Sequence, residues 1–279
     1  MSSTSPAAPG PPAGTADARG WALVTGACSG IGLAISRELA QRGYPLVLVS
    51  NQEEALRAVA ETLAADYGVL SYPVAMDLAT PEAAALLHDE VQQRGIEVDV
   101  LVSNAGILLF GEVATVDPAR ANTLMQLHMV TPSLLCTYFG ADMRARRHGY
   151  ILFMSSISAN RAYPGIAHYG SSKGYLRSFA TSLREELRPW GVKVTCVMPG
   201  AVATNLYGHT TVPVQTAVKY KVMMTPEDVA RKAMKAMFRG RANLIPGPMS
   251  KIANAAMCYT PRPLIRFIQD HTSFLPRPD

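Results

Sequence analysis

The chain has 279 residues, 48% of them hydrophobic and 17% charged, enough for one large α/β domain or two small ones. No apolar run approaches the roughly 18–20 residues that span a bilayer, so a membrane-spanning helix is not expected. The net charge of +5 gathers late, where nine Lys and Arg from Arg231 onward face only Asp270 and Asp279. Without interleaved aromatics or a recognition helix, this excess reads as a solvated face and not as a nucleic-acid footprint. A membrane-surface or acidic-partner contact is the lesser alternative.

Residues 1–19 are rich in Pro, Ala, Gly and Ser and lack the apolar core of a secretory signal, which predicts a disordered tail. The cysteines Cys28, Cys136, Cys196 and Cys258 show no CxxC spacing and no His partners at metal-ligand intervals. They read as reduced thiols of a cytoplasmic protein without a metal site.

Trp21 to Thr25 reads as the first strand and runs directly into Gly26-Ala27-Cys28-Ser29-Gly30-Ile31-Gly32. A helix follows with Ile31, Ala34, Ile35 and Leu39 on one face. Strand, glycine-rich turn and helix N-terminus form a phosphate-binding device, because glycines let backbone N–H groups approach a pyrophosphate and the helix dipole favours its charge. The second strand, Leu46 to Ser50, leads to the position that selects the cofactor. A carboxylate there would bond ribose hydroxyls and select NAD; an arginine would accept the 2′-phosphate of NADP. Ser50, Asn51 and Gln52 offer neither, and the missing carboxylate removes a repulsion. NADP is therefore the expected cofactor, with NAD left open. Glu53 and Glu54 fall in the first turn of the next helix, whose apolar face is Leu56, Val59, Ala60 and Leu63.

Val69 to Ala75 is the predicted third strand, and Asp77 beyond it is placed to cap a helix before Pro81. Val98 to Ser103 is the fourth, ending in Asn104-Ala105-Gly106, where a small pair suits close backbone passage. A long helix is expected over 119–145, kinked by Pro132. The apolar run Ile151, Leu152, Phe153, Met154 reads as a buried strand ending at Ser155 and Ser156. Tyr169 and Lys173 follow on a helix, four apart and therefore on one face. A phenol with pKa near ~10 is a poor acid or base at neutral pH, and an adjacent cation moves it toward the working range. Ser156 is placed to hydrogen-bond a carbonyl oxygen that the tyrosine protonates.

Beyond Lys173, a stripe of Leu176, Phe179, Ala180, Leu183 and Leu187 runs to a helix end at Pro189 and Gly191. Val192 to Val197 is the sixth strand. Residues 205–225 lack a clean period and carry the apolar residues Tyr207, Val212, Val214, Met223 and Met224, and Leu108, Leu109 and Phe110 form another apolar stretch. Thr225-Pro226 opens a capped helix, and Asn243 to Pro246 is a last short strand. From Met249 to Asp279 the chain alternates apolar and basic residues, broken by Pro261 and Pro263. Covering its own core is the default reading of this tail; the substrate mouth or a partner are alternatives.

The segments TGxxxGIG at Thr25–Gly32, Asn104-Ala105-Gly106, Ser156, Tyr169-x-x-x-Lys173 and Pro199-Gly200-Ala201-Val202-Ala203-Thr204 together resemble the short-chain dehydrogenase/reductase family. Tyr169 follows Ser156 by thirteen positions, the usual interval there, and the likeness covers about residues 20–247. It implies that Gly26, Cys28, Ser29, Gly30, Ile31 and Gly32 form the cofactor turn and that Ser50 and Asn51 stand at the ribose. It further implies Asp77 and Leu78 beside the adenine, Asn104, Ala105 and Gly106 along the cofactor, and Pro199, Gly200, Val202 and Thr204 at the carboxamide. The 205–225 segment would fold over the substrate, so that its apolar, methionine-bearing residues and Leu108, Leu109 and Phe110 suggest a hydrophobic, bulky one, and the helices around Tyr169 would build a homodimer or homotetramer. Ser103 stands where the family often has a second asparagine. His128 is a larger departure: many members have an asparagine 28 residues before the serine, holding a water that relays protons to the lysine. Histidine can donate or accept there, or be a buried residue without that role.

The expectation is one Rossmann-type, doubly wound α/β domain over 20–248, with about seven mostly parallel strands, followed by a 249–279 extension. The expected activity is NADPH-dependent reduction of a hydrophobic ketone or aldehyde, with Ser156, Tyr169, Lys173 and His128 in the catalytic site. A nucleotide-binding regulator without turnover and an epimerase-type relative are the alternatives.

Overall fold

The computed structural model describes residues 19–161, 163–204 and 223–271. Seven strands form one sheet: β1 (Trp21–Thr25), β2 (Leu46–Ser50), β3 (Ser71–Ala75), β4 (Val98–Ser103), β5 (Gly149–Met154), β6 (Val192–Val197) and β7 (Asn243–Leu244). Their order is β3-β2-β1-β4-β5-β6-β7, and every pairing is parallel. The chain winds outward from β1 to β3, then returns to lay β4 on the other side of β1. That reversal opens a crevice at the strands' carboxyl ends, where ligands bind in such sheets.

Helices cover both faces, which is why the strands read as unbroken apolar runs. Side chains alternate along each strand. Leu23, Val47, Leu101, Ile151 and Phe153 point one way, into a core shared with Leu87, Val91, Leu135, Phe139 and Leu176. Ala22, Val24, Leu48, Val100 and Leu152 point the other way, against Ile35, Leu39, Leu56, Val229 and Met234. The helices supplying these residues are α1 (Gly30–Ala40), α2 (Glu53–Tyr67), α3 (Ala83–Gln93), α5 (Thr131–Arg146), α6 (Ala167–Leu187) and α7 (Pro226–Phe238), while α4 (Pro118–Met125) packs Ala121 and Leu124 with Leu109 in a smaller cluster. The stripe Leu176, Ala180 and Leu187 on α6 is buried in the first core, with Phe179 and Leu183 packed against it.

Several expectations change in detail. The third strand begins at Ser71, not Val69; it is an edge strand, where Pro73 costs no ladder bond. Asp77 caps no helix: its Oδ1 accepts from the Ala79 N–H at 2.9 Å, and α3 starts only at Ala83. The last strand stops at Leu244. The long helix is two helices joined by a π turn at Gln126–Val130, in which the Thr131 N–H reaches the Gln126 carbonyl five residues back. Pro132, just after the turn, has no N–H and would crowd the carbonyl four residues earlier; the wider turn relieves that conflict. Up to His271 the C-terminal extension folds as α8 (Pro248–Tyr259) and α9 (Arg262–His271), with Pro261 and Pro263 at the start of α9. Arg19, assigned to the tail, is held: its guanidinium bonds the Arg42 carbonyl and stands 5.7 Å from the Tyr44 ring. Residues 1–18 and most of the 205–225 segment lie outside the described residues.

Candidate active site

A cleft of about 450 Å³ lies at the carboxyl end of the sheet, bordered by the segments that follow β1 to β6. After β1 the chain turns through Gly26 at φ +65° and Gly30 at φ +53°, conformations that favour glycine. A Cβ on Gly32 would stand 2.0 Å from the Gly26 carbonyl oxygen and 2.6 Å from Asn104 Nδ2, so the turn closes only without side chains there. Ser29 starts α1 without a side-chain cap bond, leaving the first-turn amides unoccupied by it, and Gly30 and Ile31 border the cleft. These are the conditions for a pyrophosphate, and the donor set fits a dinucleotide.

The loops are tied together at Thr25, which in the sequence only ended the first strand and opened the glycine motif. Its Oγ1 accepts from the N–H groups of Asn104 and Ala105 at 2.9 and 3.0 Å and donates to the Val102 carbonyl at 3.2 Å. Asn104 returns the tie, donating Nδ2 to the Thr25 carbonyl at 3.0 Å. At the end of β2, Ser50 Oγ lies 3.0 Å from Cys28 Sγ and accepts from the Gln52 N–H at 3.2 Å. Ser50, Asn51 and Gln52 border the cleft with Asp77 and Leu78.

On the other side stand Ser156, Tyr169 and Lys173, with Asn104, Ala105, Gly106 and His128. Ser156 Oγ accepts from the Ser158 N–H at 3.2 Å, capping a short 3₁₀ turn at Ile157–Asn160. Its single hydroxyl hydrogen stays available to a second acceptor. Lys173 is buried; Nζ donates to the Met154 carbonyl at 3.1 Å and lies 5.6 Å from the centre of the Tyr169 ring. Burial pushes its ammonium down to about 8. Ser155, also missed in the sequence, donates Oγ to the Lys173 carbonyl at 2.8 Å and fixes the lysine's turn of α6 on the end of β5. Pro199, Gly200, Val202 and Thr204 close the cleft, with Thr204 Cγ2 against Gly30.

His128 reaches the site from the π turn and is 1% exposed. Both ring nitrogens are engaged, Nε2 with the Ile107 N–H at 3.1 Å and Nδ1 with Ser172 Oγ at 2.9 Å. Burial, and then the Lys173 charge, push its pKa well below the ordinary range, so the ring is neutral. A proton relay through it would have to break one of these bonds. Gly32, placed with the cofactor turn, lies beneath it as the support described above. The remaining residues singled out for the cofactor border one continuous cleft.

The fold and cleft are those of a dinucleotide-binding α/β protein. The sequence model of short chain dehydrogenases matches residues 20–212. The uncharacterized oxidoreductase YmfI of Bacillus subtilis is 31% identical over 242 residues, covering 85% of this chain and 98% of its own. The 3-oxoacyl-(acyl-carrier-protein) reductase FabG of Aquifex aeolicus is 30% identical, over 75% of this chain and 86% of its own. A metagenomic short-chain oxidoreductase solved in complex with NADP is 31% identical with a TM-score of 0.67, over 82% of this chain and 97% of that one. The chain belongs to the short-chain dehydrogenase/reductase family and is an NAD(P)-dependent oxidoreductase.

Proposed function

We propose that this protein is an NADPH-dependent reductase of a hydrophobic ketone or aldehyde, able to run in reverse as an alcohol dehydrogenase. The observation that carries the reading is the meeting of Ser156, Tyr169 and Lys173 in the cleft that the glycine turn borders. When bound, the cofactor supplies the hydride exchanged with the carbonyl carbon. Tyr169 donates its phenolic proton to the carbonyl oxygen in reduction and takes it back in oxidation. Lys173, whose ammonium stands beside the Tyr169 ring, favours the phenolate and holds the nicotinamide ribose. Ser156 offers the carbonyl oxygen its hydroxyl hydrogen, preorganised by the bond it accepts from Ser158.

Three observations support the finer choices. No carboxylate follows β2 at Ser50, Asn51 or Gln52, which suits a 2′-phosphate. Ile107, Leu127 and Met154 give the cleft an apolar side, which suits a hydrophobic substrate. Intracellular NADP is held mostly reduced, which favours carbonyl reduction. A homodimer or homotetramer belongs to the same reading, through the surface where Val130 and Tyr175 stand 41% and 40% exposed. So does a cytoplasmic setting, which the four free cysteines suit.

The test is NADPH consumption on a panel of hydrophobic ketones and aldehydes, comparing the wild type with Tyr169→Phe. Turnover by the wild type and a loss of about 10²-fold or more in the variant, with NADPH binding kept, is the expected result. Equal rates in the two proteins would sink the proposal, as would tight NADPH binding with no turnover by the wild type.

A further inference from the structure

The two hydrogen bonds of His128 identify its tautomer. Nε2 accepts from the Ile107 N–H and therefore carries no proton. Ser172 has one hydroxyl hydrogen, and it goes to the Tyr169 carbonyl at 2.8 Å. The 2.9 Å contact between Nδ1 and Ser172 Oγ is then a bond that Nδ1–H donates. The imidazole is neutral, with its hydrogen on Nδ1.

Each nitrogen serves a different half of the site. Ile107 directly follows Asn104-Ala105-Gly106 and borders the cleft, and the ring is pressed against this loop: a Cβ on Gly106 would stand 2.5 Å from Nε2. Nε2 therefore holds the strand-end loop that runs along the cofactor side. Ser172 precedes Lys173 in α6, and its second bond goes to the backbone of Tyr169. Nδ1 therefore holds the turn of helix that carries the phenol and the ammonium. The ring also packs edge-on against the Tyr169 ring, with centroids 5.7 Å apart at 70°. The π turn is what delivers this ring between the two segments.

We propose that His128 is a positioning residue with two separable jobs: Nε2 fixes the cofactor loop and Nδ1 fixes Tyr169 through Ser172. The inference rests on the reductase reading for its second job only. Two amides separate the jobs, because an asparagine amide reaches about as far as Nδ1 and a glutamine amide about as far as Nε2. His128→Asn keeps a donor for Ser172 and loses the acceptor for Ile107. His128→Gln keeps the acceptor for Ile107 and loses the donor for Ser172.

The experiment measures the NADPH dissociation constant by fluorescence titration, and kcat at saturating NADPH with 9,10-phenanthrenequinone as the carbonyl probe. His128→Asn is expected to weaken NADPH about tenfold, the worth of one lost hydrogen bond, and to lower kcat by less than His128→Gln does. His128→Gln is expected to leave NADPH binding within about threefold and to lower kcat by about tenfold or more, as a misplaced acid does. Ser172→Ala is expected to reproduce the glutamine pattern. Thermal melting accompanies each variant, since losing a purely structural histidine would raise the dissociation constant and lower kcat together, in step with stability. That joint loss, or no change in either variant, overturns the proposal. NADPH titration needs no substrate: a wild type that binds NADPH without turnover refutes the reductase reading and the Tyr169 job with it, while the asparagine and glutamine affinities still decide the loop job.

Discussion

Lys173 is a cation that the fold holds out of water, and Lys173→Met is expected to make the cofactor-free protein more stable while removing activity. The side chain is 5% exposed and its ammonium titrates near 8 instead of 10.5 because burial disfavours the charge. The gap is worth about 3 kcal/mol, a cost that the native state carries in full below pH 8, where lysine is charged whether folded or not. Between pH 8 and 10.5 the unfolded chain binds more protons than the native one, so stability rises with pH, and above 10.5 the cost is gone. Methionine nearly matches the volume without the charge, but gives up the 3.1 Å bond to the Met154 carbonyl, worth about 1 kcal/mol. The variant should therefore exceed the wild type by about 2 kcal/mol at pH 7, with the advantage falling to about zero by pH 10. Urea unfolding of both proteins without cofactor, at pH 7 and at pH 10 in the same ionic strength, measures the difference. A variant less stable than the wild type at pH 7, or a difference that ignores pH, would refute the claim that burial of this ammonium is a cost retained for function.

The other substitutions probe the cofactor side. Thr25→Val keeps the shape of a buried β-branched residue but leaves the Asn104 and Ala105 amides without their acceptor; we expect a loss of about 2–4 kcal/mol in chemical denaturation and weaker NADPH binding. Unchanged stability would mean that the threonine hydroxyl does not organise the loop. Asn51→Asp puts a carboxylate after β2, where it favours ribose hydroxyls and repels a 2′-phosphate. NADPH affinity relative to NADH should fall by about tenfold or more, and an unchanged ratio in parallel titrations would place Asn51 away from the ribose.

The strands were largely legible because each buried strand is a short apolar run with punctuation at its ends. Gly26 follows Thr25, and Pro189 and Gly191 precede Val192, so β1 and β6 begin and end where those signals put them. The edge strand was harder: Val69 and Leu70 look like strand residues, but whether an apolar residue joins a ladder depends on the partner strand, which local pattern does not contain. The π turn was not read from the periodicity: one inserted residue shifts the helical phase by about 100°, but only once, beside a proline that already predicted a break. Pro132 marked the place without naming the distortion.

The site divides along the same line. Glycines of the turn, Ser156, Tyr169 and Lys173 are visible because their spacing is local and their chemistry uncommon. Thr25, Ser155 and Ser172 are invisible because a hydroxyl at a strand end or in a helix looks alike whether or not it bridges distant segments. What gives Thr25 its part is Asn104, 79 residues away; what gives Ser172 its part is His128, 44 residues away. The histidine could be noticed from its position, but its chemistry could not be read there. A relay and a two-sided brace require the same residue type, and only the atoms at Nδ1 and Nε2 tell them apart. With Ile107 on one nitrogen and Ser172 on the other, the ring joins the loop beside the cofactor to the helix that carries the acid. Any motion that separates that loop from α6 must first break a bond to this imidazole.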